Sequence, residues 1–361
     1  MRYLLVGLST RAVAESAVRA GKDCVAVDFF GDLDLESVCR TVSVRREFGI
    51  SLGSFSPYFL LKAAKLVHAD CMIYVGPLEN YPHILRKFAQ YYEIIGNDAE
   101  TIQKVRDWKN VYRVCNQHNI KVPKTCDGHH YIVKPKRSGG GIGIHRLSSY
   151  VIQELVRGEP YSVSFVGDGK EAQVLSINEQ LIGREEFGAR KFWYCGNITP
   201  GFPGEHVDVD VDVGALCTVM TRHFGLRGSC GIDFVFHPNG SPYVMEVNPR
   251  PQATLELLER VYGVNMVVLH ENAFRGILDV SPTRPGTPKT WGKAIVYAEK
   301  DIIMPDTSEW LDYSWIKDIP HPSELILKSE PICTVIAGGS DRDDCFEHLV
   351  QYSHAVKDLL Q

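Results

Sequence analysis

Residues 231–250, GIDFVFHPNGSPYVMEVNPR, constrain this chain more than any other stretch. Asn239-Gly240 is a strong hairpin signal, and it predicts a two-residue turn of the I′ kind. In that register Pro238 faces Ser241, Asp233 lies opposite Glu246, and Asn248 projects from the same face one step along. The other face then collects Ile232, Phe234, Phe236, Tyr243, Met245 and Val247, all apolar. Two like charges directly opposed weaken a strand pair. The pairing therefore predicts either a solvated polar face or a cation held between the carboxylates. Hard carboxylate and amide oxygens suit Mg²⁺ or Mn²⁺.

The 361 residues suffice for two or three domains with substantial cores. A 44% hydrophobic and 23% charged composition is that of a globular protein. The net charge of −5, with no long basic run, gives a nucleic-acid partner no support. The opening MRYLLVGLSTR has too short an apolar run for a signal peptide, and no stretch approaches a membrane span. Ten cysteines without a C-x-x-C pair read as reduced, mostly buried thiols, neither a disulfide framework nor a zinc site. A cytoplasmic protein is expected, with no membrane partner.

RYLLVGL, DCVAVDFF, CMIYVG (71–76) and YEIIG (92–96) alternate with helical stretches, the first from about Ala12 to Ala20. This predicts a small parallel sheet covered by helices. A dinucleotide site here is poorly supported: Gly7 stands without a G-x-G-x-x-G, although Asp28 ends the second strand as a ribose-binding acid would. From residue 98 two short helices are expected, the second capped by Asp107 and ending near Asn119. Antiparallel strands follow, with helices over 213–225 and 253–278, a linker at 282–288, more strands, and a terminal amphipathic helix.

KPKRSGGGIG, residues 134–143, places three consecutive glycines beside Lys134 and Lys136. Glycines let backbone N–H groups approach an anion closely, and such nests bind phosphate. It is not a P-loop, because no G-K-[ST] follows. A flexible hairpin tip is the alternative.

The order of these pieces resembles the ATP-grasp superfamily, and the resemblance covers most of the chain. DWK resembles the start of the first nucleotide helix, with its lysine at Lys109. YIVKP and the glycine loop resemble the second lysine, Lys134, and a lid formed by Ser138, Gly139, Gly140 and Gly141. VIQELVRGEPYSV resembles the adenine hinge, implying Glu154, Leu155 and Val156 at the adenine and Glu159 at the ribose. GIDFVF…YVMEVNPR resembles the metal hairpin, implying Asp233, Glu246 and Asn248 as metal ligands and Arg250 on phosphate or substrate.

The resemblance implies an α/β fold of the ATP-grasp kind (α+β in the grasp module itself). Its parts are a parallel α/β domain over 1–97, an ATP-grasp domain over 98–284 with a lid subdomain at about 98–154, and a small β-rich domain over 285–361. It implies an ADP-forming ligase using ATP and Mg²⁺ (or Mn²⁺), with Arg250 and Lys134 as catalytic residues. A carboxylate would be activated as an acyl phosphate and joined to an amine, so the partners are small molecules, and a homodimer is compatible with the family.

EVNPRPQATLE is also similar to the matching run of biotin carboxylases. Those enzymes carry a catalytic Glu four residues after the arginine, and Thr254 stands there instead. Deprotonation of bicarbonate would lack its base, which demotes a biotin-carboxylase-like, bicarbonate-activating enzyme, and a non-catalytic ATP-binding regulator is the other rival. Within 179–205, Arg184, Arg190 and Lys191 are candidates for holding carboxylates, and Trp193 and Tyr194 for lining a substrate pocket.

Overall fold

The computed structural model describes residues 1–127, 132–133, 145–146, 151–201, 212–280 and 289–360. The first part alternates strand and helix as expected: β1 (Arg2–Gly7), α1 (Arg11–Arg19), β2 (Asp23–Asp28), α2 (Leu33–Val38), β3 (Arg40–Ser43), α3 (Val44–Phe48), α4 (Pro57–Ala64), β4 (Cys71–Tyr74), α5 (Pro82–Phe88) and β5 (Glu93–Ile94). These strands pair in parallel in the order β3-β2-β1-β4-β5.

Apolar runs such as LLV and VAV suit a sheet buried on both faces. Leu4, Val6, Val25 and Met72 pack on one face with Leu60, Ile84 and Leu85 of the helices. Tyr3, Leu5, Ala26 and Ile73 pack on the other with Val13 and Ala17 of α1. The sequence reading does not include β3, whose short, partly exposed RTVS lies at the sheet edge.

Two short helices follow, α6 (Ala99–Val105) and α7 (Trp108–Gln117). The Asp98 side chain accepts from the Glu100 and Thr101 N–H groups, and Asp107 accepts from the Lys109 N–H. The expected Asp107 cap is the observed one. Next come β6 (Thr125–Asp127), β7 (Ile132–Val133), β8 (His145–Arg146) and β9 (Val151–Gln153). β6 pairs with β9 and β7 with β8, both antiparallel.

The remaining chain is built on one antiparallel sheet. Its strands and covering helices are β10 (Glu159–Asp168), β11 (Ala172–Ile182), β12 (Tyr194–Thr199), α8 (Val213–Phe224), β13 (Arg227–Phe236), β14 (Pro242–Asn248), α9 (Leu255–Tyr262), α10 (Met266–Phe274) and β15 (Thr290–Tyr297). After them come β16 (Ile302–Ile303), β17 (Ile316–Lys317), β18 (Leu325–Ile326), β19 (Pro331–Gly339) and α11 (Arg342–Leu359). Among the described residues the sheet order is β14-β13-β10-β11-β12-β15-β19-β17. Strands β15 and β19 therefore continue the sheet of the preceding segment through β12, and hydrogen bonding runs across the 284/285 division.

Helices α7 and α8 bury Val111, Val114, Leu216 and Met220 against Val163, Phe165, Ile232, Phe234 and Val244 of this sheet. Each such fully buried aliphatic or Phe side chain contributes about 1.5–3 kcal/mol of transfer free energy. The stretch expected as one helix over 253–278 breaks at Gly263, whose φ of 65° ends α9 in the left-handed region. The cysteines whose side chains are described are free thiols, all buried except Cys39, which is half-buried. Among the described residues no helix is long and apolar enough to cross a membrane.

One charge network fastens the parallel domain to the large sheet. Arg11, 1% exposed at the start of α1, donates from its two terminal nitrogens to Glu256 of α9 at 2.7 and 2.9 Å. Its Nε donates to Asp318 at 2.9 Å. Lys293 of β15 donates to the same Glu256 at 2.9 Å. Paired so, these charges hold the Glu256 carboxyl well below the usual carboxylate range despite its burial. The apolar contact beside them, Tyr3 and Val13 against Leu255, Leu258 and Met266, makes the junction part of the core.

Candidate functional site

β13 and β14 form the expected hairpin, and Asp233 pairs with Glu246 as the sequence predicts. The route to that pairing differs. The turn is not a two-residue I′ loop. The Gly240 N–H reaches the His237 carbonyl at 2.8 Å and the His237 N–H reaches the Ser241 carbonyl at 3.0 Å. Three residues, Pro238 to Gly240, thus form the loop, with Gly240 at φ 82°. Pro238 suits the first central position of a type I turn, and the glycine supplies the left-handed residue after it.

That loop shifts the register by one near the turn, where Phe236 pairs with Pro242 and Phe234 with Val244. A bulge at Met245 shifts it back, so Gly231 pairs with Asn248 and Asp233 with Glu246. Val244 consequently takes the core position expected for Tyr243 and Met245, both only partly buried. Gly231 leaves room for Gln252, whose side chain lies where a Cβ would sit, within 2.2 Å. The Ser164 hydroxyl donates to the Gln252 Oε1 at 2.9 Å, fixing that side chain across the sheet.

Asp233, Glu246, Asn248 and Arg250 line one cavity of about 400 Å³ together with Gln180, Tyr194 and Thr254. Asp233 accepts from Gln180 Nε2 at 3.0 Å and from Asn248 Nδ2 at 2.8 Å, both neutral donors. Burial, and then the Glu246 charge, push its carboxyl up to about 7. Arg106 reaches across from the end of α6, donating to Glu246 Oε2 at 3.1 Å and to Asn248 Oδ1 at 3.4 Å. Part of the expected repulsion is therefore relieved by a guanidinium. Among the described residues no cationic side chain hydrogen-bonds Asp233, and an all-oxygen donor set of this kind fits a hard divalent cation. Among the described residues no three or more His, Cys, Asp and Glu side chains cluster as a metal site. Two carboxylates and an amide leave coordination positions for other oxygens, such as phosphate.

Arg250 leaves the hairpin between Pro249 and Pro251. The Pro249 carbonyl accepts from Asn97 Nδ2 at 3.0 Å and from the Tyr74 hydroxyl at 3.3 Å, which pins the strand exit to the parallel domain. Arg250 Nε donates to Glu79 Oε1 at 2.7 Å, so its ion pair runs to neither hairpin carboxylate. Its guanidinium lines the hairpin cavity and a second one of about 410 Å³ between β1, β4, β15 and β19.

The other expected residues lie elsewhere or outside what is described. Lys109 lines a separate cleft with Lys124 and Thr125, its ammonium 5.6 Å from the Trp108 ring centre. Glu154 pairs with Lys124 by main chain at 2.8 Å and by its carboxylate at 3.1 Å, next to exposed Leu155 and half-buried Val156. Glu159 opens β10 opposite Phe236. Lys134, Ser138, Gly139, Gly140 and Gly141 lie outside the described residues.

Of the 179–205 candidates, Tyr194 alone lines the two cavities, donating its hydroxyl to Asn197. Arg184 packs on Phe346, Arg190 on Trp193, and Trp193 against Tyr297. The sequence reading missed Arg106, Gln180 and Glu79. Arg106 directly precedes the Asp107 cap, which was the one signal for it.

A family model described as the ATP-grasp domain matches residues 105–254. An uncharacterized protein of Methanocaldococcus jannaschii is 24% identical over 99% of this chain and 94% of its own length. The tyramine–L-glutamate ligase of the same organism is 28% identical over 54% of this chain and 59% of its own length. Biotin carboxylase of Campylobacter jejuni superposes with a TM-score of 0.68 at 14% identity, over 96% of this chain and 89% of that one. Residues 105–254 match the ATP-grasp domain model, the acidic hairpin lies within that match, and the whole-chain likeness to biotin carboxylase is one of fold.

Proposed function

We propose that this protein is an ATP-dependent ligase that activates a carboxylate as an acyl phosphate and joins it to an amine, releasing ADP. The observation that carries the reading is the position of Arg250, a fixed guanidinium shared by the cavity of the acidic hairpin and the interdomain cavity. The 28% identity to a tyramine–L-glutamate ligase supports it. An amino acid is the proposed carboxylate.

Asp233, Glu246 and the Asn248 amide would hold Mg²⁺ or Mn²⁺, which supplies charge neutralisation to the nucleotide phosphates when bound. Lys109 and Lys134 are assigned to the phosphates, with Ser138 and Gly139–Gly141 as the lid. Glu154, Leu155 and Val156 are assigned to the adenine and Glu159 to the ribose. Arg250 then faces the phosphoryl being transferred and the acyl oxygen that receives charge. Its pairing with Glu79 and the two flanking prolines hold it there without reorganisation. No side-chain nucleophile is needed, since phosphoryl transfer is catalysed mainly by positioning and electrostatics.

Carboxylation fits less well. Thr254 is buried and its hydroxyl is within 2.9 Å of the Ser164 hydroxyl, so no base stands at that place. Glu256 is committed to Arg11 and Lys293. The likeness to biotin carboxylases is one of fold. The test is ADP release with Mg-ATP across a panel of amino acids, each with and without an amine. Release that requires both supports the proposal, and release with neither, at the same rate, overturns it.

A further inference from the structure

The interdomain cavity of about 410 Å³ has a chemistry of its own. Its walls carry three carboxylates, Asp32, Glu79 and Asp318, and three cations, Arg11, Arg250 and Lys293. The cations are already engaged. Arg11 and Lys293 share Glu256, Arg11 also holds Asp318, and Arg250 holds one oxygen of Glu79. Behind the wall, Asp28, Asp34 and Glu256 are buried as well, so the neighbourhood has an excess of negative charge.

Among the described residues, two carboxylate groups facing the cavity are incompletely partnered. Glu79 is 3% exposed, and its Oε2 has no hydrogen-bond partner. A buried unpartnered carboxylate oxygen costs free energy unless a ligand satisfies it. Asp32 is 6% exposed and stands at the N-cap position of α2, where an aspartate usually accepts from its own helix. It makes no such bond, and among the described residues no cation pairs with it. Burial and the charges of Asp318, Asp28 and Asp34 push its carboxyl well above the usual range. The rest of the wall is mostly apolar, including Phe30, Val75, Ile295 and Ile332, with Ser9, Tyr194, Gln252 and Thr334 as its neutral polar side chains.

We propose that this cavity binds the amine co-substrate as an organic ammonium, with Asp32 and Glu79 around the charged nitrogen and its body against Phe30 and Ile332. The inference rests on the ligase reading for the word co-substrate. It adds the class: an apolar-bodied monoamine, not an amino acid. An α-carboxylate would meet Asp32, Asp318 and Glu79 at close quarters, with Arg11 and Lys293 held by Glu256 and Arg250 turned to the reaction centre. The site also adjoins the reaction centre, because Glu79 holds Arg250, which faces both cavities.

Calorimetric titration of the full chain in the absence of ATP tests this, with 2-phenylethylamine, phenylalanine and 3-phenylpropionate as probes that share one body. Saturable binding of 2-phenylethylamine, at least tenfold tighter than either carboxylate-bearing probe, is expected. Asp32→Asn should weaken it at least tenfold with a melting temperature no lower than that of wild type, because the substitution relieves an acidic cluster. Glu79→Gln should weaken it too. No saturable amine binding, equal binding of phenylalanine, or indifference to both substitutions would overturn the proposal. If 2-phenylethylamine binds as expected while wild type releases no ADP with any acid and amine, the ligase reading fails and the ammonium site stands.

Discussion

Arg250 and Glu79 are joined by a 2.7 Å hydrogen bond from Nε to Oε1, across 171 residues of sequence. The pair ties the exit of the acidic hairpin to the turn after β4 and aims one guanidinium at two cavities. Arg250→Ala should lower turnover about 10²–10³-fold, the usual cost of removing one donor to developing charge. It should also destabilise the fold, since Glu79 is then buried without a partner. Adding Glu79→Gln should recover stability in a denaturant titration but not turnover. Recovery of both would make the pair purely structural.

The hairpin carboxylates make a separable prediction. Glu246→Gln removes a charge opposite Asp233 and a half-exposed ion pair to Arg106 worth no more than about 1 kcal/mol. The two effects oppose one another, so stability in the presence of a chelator should stay within about 1 kcal/mol of wild type. Mg-dependent ADP release should vanish. Near wild-type turnover in this variant would remove Glu246 from the metal set.

Arg106 holds oxygens of both Glu246 and Asn248. Replacing it with alanine frees two of the three proposed ligands and removes a like charge from the cation's surroundings. Mn²⁺ should therefore bind Arg106→Ala more tightly than wild type, read by the paramagnetic signal of free Mn²⁺. Weaker binding would mean that Arg106 positions the ligands and does not compete for them.

The Arg11–Glu256–Lys293 network predicts a stability profile. Glu256→Gln should cost about 3–5 kcal/mol at neutral pH, the range for removing one partner of a buried ion pair. The Glu256 carboxyl is held well below its ordinary 4.5, so the folded state binds its proton later than the unfolded state. Its contribution is complete above that ordinary value and is lost as pH falls through the folded one. Urea midpoints of wild type and Glu256→Gln should thus stay a constant distance apart from pH 7 to about 5 and converge in stronger acid. Convergence already at pH 6 would contradict the assignment.

What could be read from the sequence followed from periodicity and local chemistry. The parallel domain was legible because strands such as RYLLVG are unbroken apolar runs, and α7 because Asp107 caps it. The Asp233–Glu246 pairing was legible only through two offsetting errors, a three-residue turn and a bulge at Met245, neither of which alternation reveals. Glu79, Arg106 and the Arg11 network were not legible. The contacts from Arg106 to Glu246, Arg250 to Glu79 and Arg11 to Asp318 span 140, 171 and 307 residues, and a lone arginine or glutamate carries no signal for a distant contact. The position of β15 beside β12 was hidden for the same reason, since an antiparallel strand reads alike in a small separate sheet and in a large shared one.

Activation of a carboxylate by phosphoryl transfer at the Asp233–Glu246–Arg250 site, as proposed, would leave an acyl phosphate that hydroxylamine traps. Wild type would be incubated with Mg-ATP, hydroxylamine and a panel of amino acids, and hydroxamate and ADP measured together, with bicarbonate as a parallel arm. Hydroxamate equal to ADP is expected for one class of acid, with loss of both in Glu246→Gln and no stimulation by bicarbonate. Bicarbonate-stimulated ADP release without hydroxamate for any acid would contradict it and restore the carboxylase reading.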